Sequence, residues 1–183
     1  KIKGDSISTI ATGLQTGNND RYLRQHWEVS DRSLYKPYAK GGSDAWIAPT
    51  VQNMVEWSQN GSQIQRNDSS RFQNTDYYGK KGLTWTYIKD TGRRFGYLPS
   101  GSRFDVAGSM VFPTDVSALT LMVALNSDLY HMIMLSLTPE RQWNQGDVGR
   151  LPWLEQIQNE RLEQLGNNQY KTAIKQQYND PTS

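Results

Sequence analysis

Apolar and polar positions alternate from Ile7 to Leu14, give way to the polar run Thr16-Gly17-Asn18-Asn19-Asp20, and resume in an aromatic segment from Tyr22 to Val29. This pattern predicts a strand, a loop, and then a second strand or a short helix. Lys40-Gly41-Gly42-Ser43 predicts a flexible turn. Beyond it Val51, Met54, Val55 and Trp57 suggest a strand closed by Gln59-Asn60-Gly61, whose Asn-Gly pair is a turn signal. The β pattern is densest from Lys80 to Phe112: Leu83, Trp85 and Tyr87 alternate with Thr84, Thr86 and Ile88, and Pro99-Ser100-Gly101-Ser102 links two aromatic-rich runs. That stretch predicts the heart of an antiparallel or mixed sheet.

Thr114-Asp115 is placed to cap a helix with apolar residues on most sides, from Leu119 and Val123 to Met132, Ile133 and Leu135. The run Ala118 to Leu137 approaches membrane-spanning length, but Asn126, Ser127, Asp128 and His131 interrupt it, which favours a buried helix covering a sheet. Pro152 suits the first position of another helix, with Trp153, Leu154, Ile157, Leu162 and Leu165 at helical spacing and Gly166-Asn167 breaking or ending it. Tyr170, Ala173, Ile174, Gln177 and Tyr178 mark a last amphipathic helix, an arm or spacer that needs a partner surface, before the polar tail Asn179 to Ser183. The expected class is α+β: a mixed, mostly antiparallel sheet covered by a buried helix, followed by C-terminal spacer helices. A length of 183 residues suits one such domain with a terminal appendage, with expected bounds 1–152 for the domain and 153–183 for the helical spacer and tail.

A mean hydropathy of −0.76 is polar for a folded chain, yet six Trp, ten Tyr and four Phe argue against disorder. There is no Cys, which removes disulfides, thiolate metal sites and Cys nucleophiles, and with only His26 and His131 as imidazoles no metal site is expected. The chain opens Lys1-Ile2-Lys3-Gly4 with neither a start Met nor a secretory leader, so it reads as cytoplasmic and as a piece of something longer. The net charge of +2 hides an uneven distribution. Residues 66–103 carry eight Lys/Arg against three Asp, a local +5, while the chain beyond Phe104 carries five against nine acidic residues. One stretch could therefore present a basic face to phosphate, solvated surface being the plainer reading.

The search for catalytic chemistry is negative. No GxSxG elbow, phosphate-binding P-loop, HExxH or EF-hand loop occurs. His26 and His131 read as structural, and Asp105 and Asp147, beside glycine-rich turns, read as ligands of backbone amides, so no catalytic residue is expected. What remains is a set of long polar and basic side chains beside turns: Gln15, Asn18, Asn19, Arg21, Arg24, Lys36, Lys40, Lys80, Lys81, Arg93, Arg94 and Arg103. Arg and Asn/Gln are what bidentate reading of guanine and adenine edges requires, and Lys suits phosphate. Tyr77, Tyr78, Trp85 and Tyr87 would stack on bases or, equally, form core and cross-strand pairs. The residues alone leave open a DNA-binding domain, a protein-interaction module and a carbohydrate-binding β domain.

Several blocks then resemble one family. Gly13-Leu14-Gln15-Thr16-Gly17-Asn18-Asn19-Asp20-Arg21-Tyr22-Leu23-Arg24, followed by Trp27-Glu28-Val29, resembles a signature of the adenine-specific methyltransferases of the BREX phage-defence system, the PglX group, and of related type IIG restriction-modification enzymes. Pro37-Tyr38-Ala39-Lys40-Gly41-Gly42, Gly82-Leu83-Thr84-Trp85, Phe104-Asp105-Val106-Ala107-Gly108, Leu125-Asn126-Ser127 and Gln145-Gly146-Asp147-Val148 with Leu151-Pro152 are similar to later elements of that family, in the same order. Trp46-Ile47-Ala48-Pro49 and Thr138-Pro139-Glu140-Arg141-Gln142-Trp143 depart from it.

The resemblance implies a DNA target-recognition domain, related to those of type I specificity subunits, that lays loops in the major groove of double-stranded DNA while a methyltransferase domain of the parent chain flips the adenine. The flipping pocket's Asn/Asp-Pro-Pro-aromatic turn is missing here, Asn179-Asp180-Pro181 having neither a second proline nor an aromatic residue. The cofactor loop is missing too, so S-adenosylmethionine is expected in the parent and no cofactor in this chain. The implied reading elements are the Gln15 to Arg24 loop and the basic span from Lys80 to Arg103. The rival implication is a module that docks other defence-system subunits or a phage DNA-mimic inhibitor.

Overall fold

The computed structural model describes residues 7–41, 47–88, 93–138, 142–157 and 160–179. Gly42 and Ser43 of the expected flexible turn, Trp46, Pro139 to Arg141, the Tyr178 side chain and the tail beyond Asn179 lie outside it. In chain order the elements are β1 (Ser8–Ala11), β2 (Leu14–Gln15), α1 (Asn19–Tyr22), β3 (Leu23–Gln25), β4 (Tyr35–Ala39), β5 (Asn53–Glu56), α2 (Ser62–Gln65), β6 (Arg71–Phe72), β7 (Gly82–Trp85) and β8 (Phe95–Leu98). They continue with β9 (Arg103–Phe104), β10 (Met110–Pro113), α3 (Ala118–Leu125), α4 (Asp128–Leu137), α5 (Gln145–Arg150) and α6 (Glu160–Asn179). The class is α+β and the pairing mostly antiparallel, as the alternation predicts.

The strands divide into two four-stranded sheets, ordered β1-β10-β7-β8 and β3-β5-β4-β9, and a two-stranded ladder β2-β6. Only β4 and β9 among these named pairs run parallel. The dense apolar stretch forms the middle of the first sheet, where all four residues of β7 are buried. Helix α3 covers that sheet, burying Leu121, Met122 and Leu125 against Leu83, Phe95 and Val111.

Several helix boundaries differ from the sequence expectation. The apolar pattern from Leu119 to Leu135 predicts one helix, but the structure has two, bent 68° apart. Asn126 makes the break: its Oδ1 accepts from the Arg94 and Phe95 amides at 3.0 Å and its Nδ2 donates to the Phe95 carbonyl at 2.8 Å, so the side chain acts as a strand neighbour for β8. Ser127 then caps α4, its hydroxyl accepting from the Tyr130 amide. The first helix is entered at Ser117, after Thr114-Asp115, whose amides bond the Ile7 carbonyl instead. α4 is buried on one side only, for Leu129, Met132 and Leu135 are exposed.

Pro152 starts no helix; it follows α5, which Asn144 and Asp147 open as a reciprocal capping box. Gly166 breaks none either, because α6 runs through it. A Cβ there would meet the Leu119 carbonyl oxygen at 2.8 Å, so the missing side chain lets α6 lie directly on α3. Tyr170 packs edge-on against Tyr97, and the Gln177 amide bonds the Ala48 carbonyl.

The second sheet and the ladder meet at Tyr38. Its hydroxyl lies 2.7 Å from the Leu14 carbonyl oxygen and 2.8 Å from Asp105 Oδ2, so its one proton is shared between two buried acceptors. Asp105 also accepts from the Ala107 amide at 2.8 Å, and its own amide donates to the Ala39 carbonyl. Gly13 completes the junction, since a Cβ there would fall 1.8 Å from the Phe104 carbonyl oxygen.

Tyr38→Phe strands two buried acceptors and is expected to cost about 1–3 kcal/mol, read from urea unfolding. Burial, then the Asp105 charge, holds the Tyr38 hydroxyl far above the ordinary tyrosine range, and burial pushes Tyr78 up to about 12. The unfolded chain therefore loses these protons first as pH rises. Stability is expected to stay level to about pH 10 and to fall from there toward 12, where the unfolded chain has lost its tyrosine protons while folded Tyr38 and Tyr78 still hold theirs, with Tyr38→Phe showing the shallower fall.

Candidate nucleic-acid interface

The polar run after β2 folds because its own side chains replace missing backbone partners. Asn18 Oδ1 accepts from the Arg21 amide at 3.0 Å and caps α1, while the Thr16 hydroxyl donates to Asn19 Oδ1 at 2.7 Å. The facing wall comes from the turn at Ser58–Gly61, from α2 and from the loop into β6. Three contacts join the walls: the Tyr22 hydroxyl donates to the Gln63 carbonyl at 3.2 Å, Asn67 Nδ2 reaches the Thr16 carbonyl at 3.4 Å, and β2 pairs with β6 so that Gln15 faces Arg71.

Between these walls lies an open groove of about 800 Å³, lined by Asn18, Arg21, Gln59, Gln63 and Arg66 together with Tyr22, Asn67, Asp68 and Ser69. All of the first five are exposed. Two guanidiniums against one carboxylate give the lining a local positive charge, and the carboxamides add paired donors and acceptors. That set can hydrogen-bond base edges and neutralise phosphate.

The structure brings only part of the expected set together. Of the expected residues only Asn18 and Arg21 line this groove, the Arg21 guanidinium standing 5.2 Å from the Tyr22 ring, while Gln15 and Asn19 are exposed without lining it. Arg24 turns back onto the Asp20 and Leu23 carbonyls at the end of α1, at 2.8 and 2.6 Å. Lys36 shares a row with Val55 and Leu23, and Arg24 shares the next with Met54 and Pro37. Successive rows point to opposite faces, so these two cations do not act together. Lys40 is exposed at the end of β4.

The span from Lys80 to Arg103 is not one basic face. Lys80 and Lys81, both exposed, precede β7 where Gly82 pairs with Leu98, and the Lys80 ammonium sits 4.7 Å from the Tyr77 ring. Arg93 and Arg94 precede β8 at the other end of the pair, a strand length of roughly 13 Å away. Arg93 is exposed, whereas Arg94 is only 2% exposed. The Arg94 guanidinium lies 3.5 Å from the Trp143 ring centre and donates to the Thr86 and Tyr87 carbonyls, so it is a buried cation whose contacts here are internal. Arg103 is half-buried with its guanidinium 4.4 Å from the Trp57 ring, and desolvation lowers its pKa. Its position behind the groove wall suits support rather than contact.

The sequence reading overlooked Gln59, Gln63, Arg66 and Arg71. A signal was present: residues 58–71 hold Gln, Asn, Ser and Arg almost throughout between the aromatic residues Trp57 and Phe72. Asp105 and Asp147, by contrast, bond backbone amides as expected. Among the described residues no group of three or more His, Asp or Glu could hold a metal ion.

No family model matches this chain. It is 30% identical over 178 residues to the adenine-specific methyltransferase BrxX of Escherichia coli O9:H4 (strain HS), a match covering 90% of this chain and 14% of that protein. It is 28% identical over 174 residues to the adenine-specific methyltransferase PglX of Lacticaseibacillus casei (strain Zhang), covering 82% and 14%. The chain thus spans 14% of the length of these curated relatives. The relation to BREX-type adenine-specific methyltransferases expected from the motif blocks holds at the level of sequence similarity.

Arg94→Ala removes a desolvated cation–π contact and is expected to cost about 2 kcal/mol or more, whereas Lys81→Ala stays within about 0.5 kcal/mol. Urea unfolding of the two variants distinguishes a core arginine from a solvated lysine.

Proposed function

We propose that this chain is the DNA target-recognition part of a longer adenine-N6 DNA methyltransferase of a phage-defence or restriction-modification system. The observation that carries this reading is the groove between α1 and α2, where Arg21, Arg66, Asn18, Gln59 and Gln63 gather base-reading chemistry from two distant parts of the chain. In this reading the methyl donor, S-adenosylmethionine, and the reaction belong to the remainder of the parent. This chain's part is to hold duplex DNA in one register, with arginines on phosphate or guanine and carboxamides on adenine.

The role and the comparison with type I specificity subunits rest on the motif blocks and the similarity to the two methyltransferases. In the same reading the protein acts in the cytoplasm, and residues 153–183 serve as a spacer, with α6 docked on α3 through Gly166. A second reading, a module docking other defence subunits or a DNA-mimic inhibitor, draws on the exposed Leu129, Met132 and Leu135 of α4.

Gel shifts of the chain with random-sequence duplex over a salt series test the proposal. Binding should weaken steeply with salt, and Arg21→Ala and Arg66→Ala should each reduce the slope of log affinity against log salt by about 1. Absence of duplex binding even at low salt contradicts it.

A further inference from the structure

The turn closing the far wall of the groove has a backbone that its sequence does not favour. Gln59, Asn60 and Gly61 are consecutive left-handed residues, with φ of 49°, 58° and 77°. Glycine adopts this conformation without strain and asparagine tolerates it through local hydrogen bonds. Glutamine has neither advantage, and a non-glycine residue held there stores conformational strain that surrounding structure must impose.

That surrounding structure is present. Trp57, immediately before the turn, donates its amide to the Leu34 carbonyl at 2.7 Å. Its ring stacks with Phe72 at 5.9 Å, meets Tyr78 edge-on at 5.9 Å and carries the Arg103 guanidinium at 4.4 Å. Gly61 rests on the same ring, where a Cβ would lie 3.1 Å from it. After the turn, the Ser62 amide donates to the Gln59 carbonyl and the Ser62 hydroxyl to Gln59 Oε1 at 3.3 Å. The backbone is pinned on both sides, and the strained residue's side chain lines the groove.

We propose that Gln59 is a specificity-determining residue that reads adenine in the major groove of the bound duplex. A carboxamide both donates and accepts, matching the N7 acceptor and N6 donor of adenine, and the fixed turn presents it with little conformational freedom left to lose. The turn carries glutamine where glycine would suit the backbone better, and that glutamine's side chain lines the groove. This inference rests on the DNA-recognition reading above.

Selection of binders from a randomised duplex pool, by the 183-residue chain and by Gln59→Gly and Asn60→Gly, tests it together with thermal unfolding. Both variants relieve the strained backbone and should raise Tm, by about 2–4 °C for each kcal/mol relieved. Asn60→Gly should select the same sequences as the original chain. Gln59→Gly should lose discrimination, by about 5- to 150-fold, at one position restricted to adenine and keep the others. If Gln59→Gly keeps every preference, the inference falls and DNA recognition stands. Loss at a guanine-restricted position, or a Tm that drops, also overturns it. If the original chain enriches no sequence at all, both readings fail.

Discussion

A single buried hydroxyl ties the architecture together. Tyr38 leaves β4 to meet the Leu14 carbonyl of β2 and the Asp105 carboxylate just beyond β9, so three segments far apart in sequence share one proton in a dry interior. Neither acceptor has solvent to fall back on, which makes the contact costly to lose and fixes where β2 can lie. The position of β2 decides everything after it: its pairing with β6, the approach of Gly17 to Ser69 and Ser70, and thus the near wall of the polar groove.

The far wall depends on aromatic packing instead. Trp57 is held among Phe72, Tyr78 and Arg103, and Gly61 rests on it. Polar side chains at the rim are therefore mounted on a rigid, largely apolar support, an arrangement suited to reading another molecule's hydrogen bonds because little order has to be gained on binding. Cations elsewhere have other tasks: Arg24 satisfies helix carbonyls, Arg94 supports Trp143, and Lys80 lies against Tyr77.

Local signals were legible in the sequence. Alternation located β7 and its neighbours, Asn60-Gly61 located a turn, and the Asp105 and Asp147 carboxylates bond the backbone as their glycine-rich surroundings imply. Features that depend on distant partners were not. The helix break at Asn126 is invisible in an apolar run because its cause is the edge of β8, 31 residues earlier. Arg94 looks like Arg93 in sequence, and the Trp143 ring with the Thr86 and Tyr87 carbonyls draws it inward. The groove escaped notice in half, since its far wall is an amide-rich loop with little charge and it joins α1 only through tertiary contacts. Charge counting pointed to residues 66–103 as one face, and β7-β8 pairing placed its members at opposite ends of a strand.

The central claim is that one groove, built from the segments around Asn18 and Gln63, is where this chain meets DNA. Amide hydrogen exchange of the chain with and without duplex at low salt tests that directly. The account predicts added protection in residues 15–24 and 58–71 together, with the exposed face of α4 unchanged. Protection confined to α4 or to the approach to β8, or duplex binding that leaves both groove walls unprotected, would contradict it.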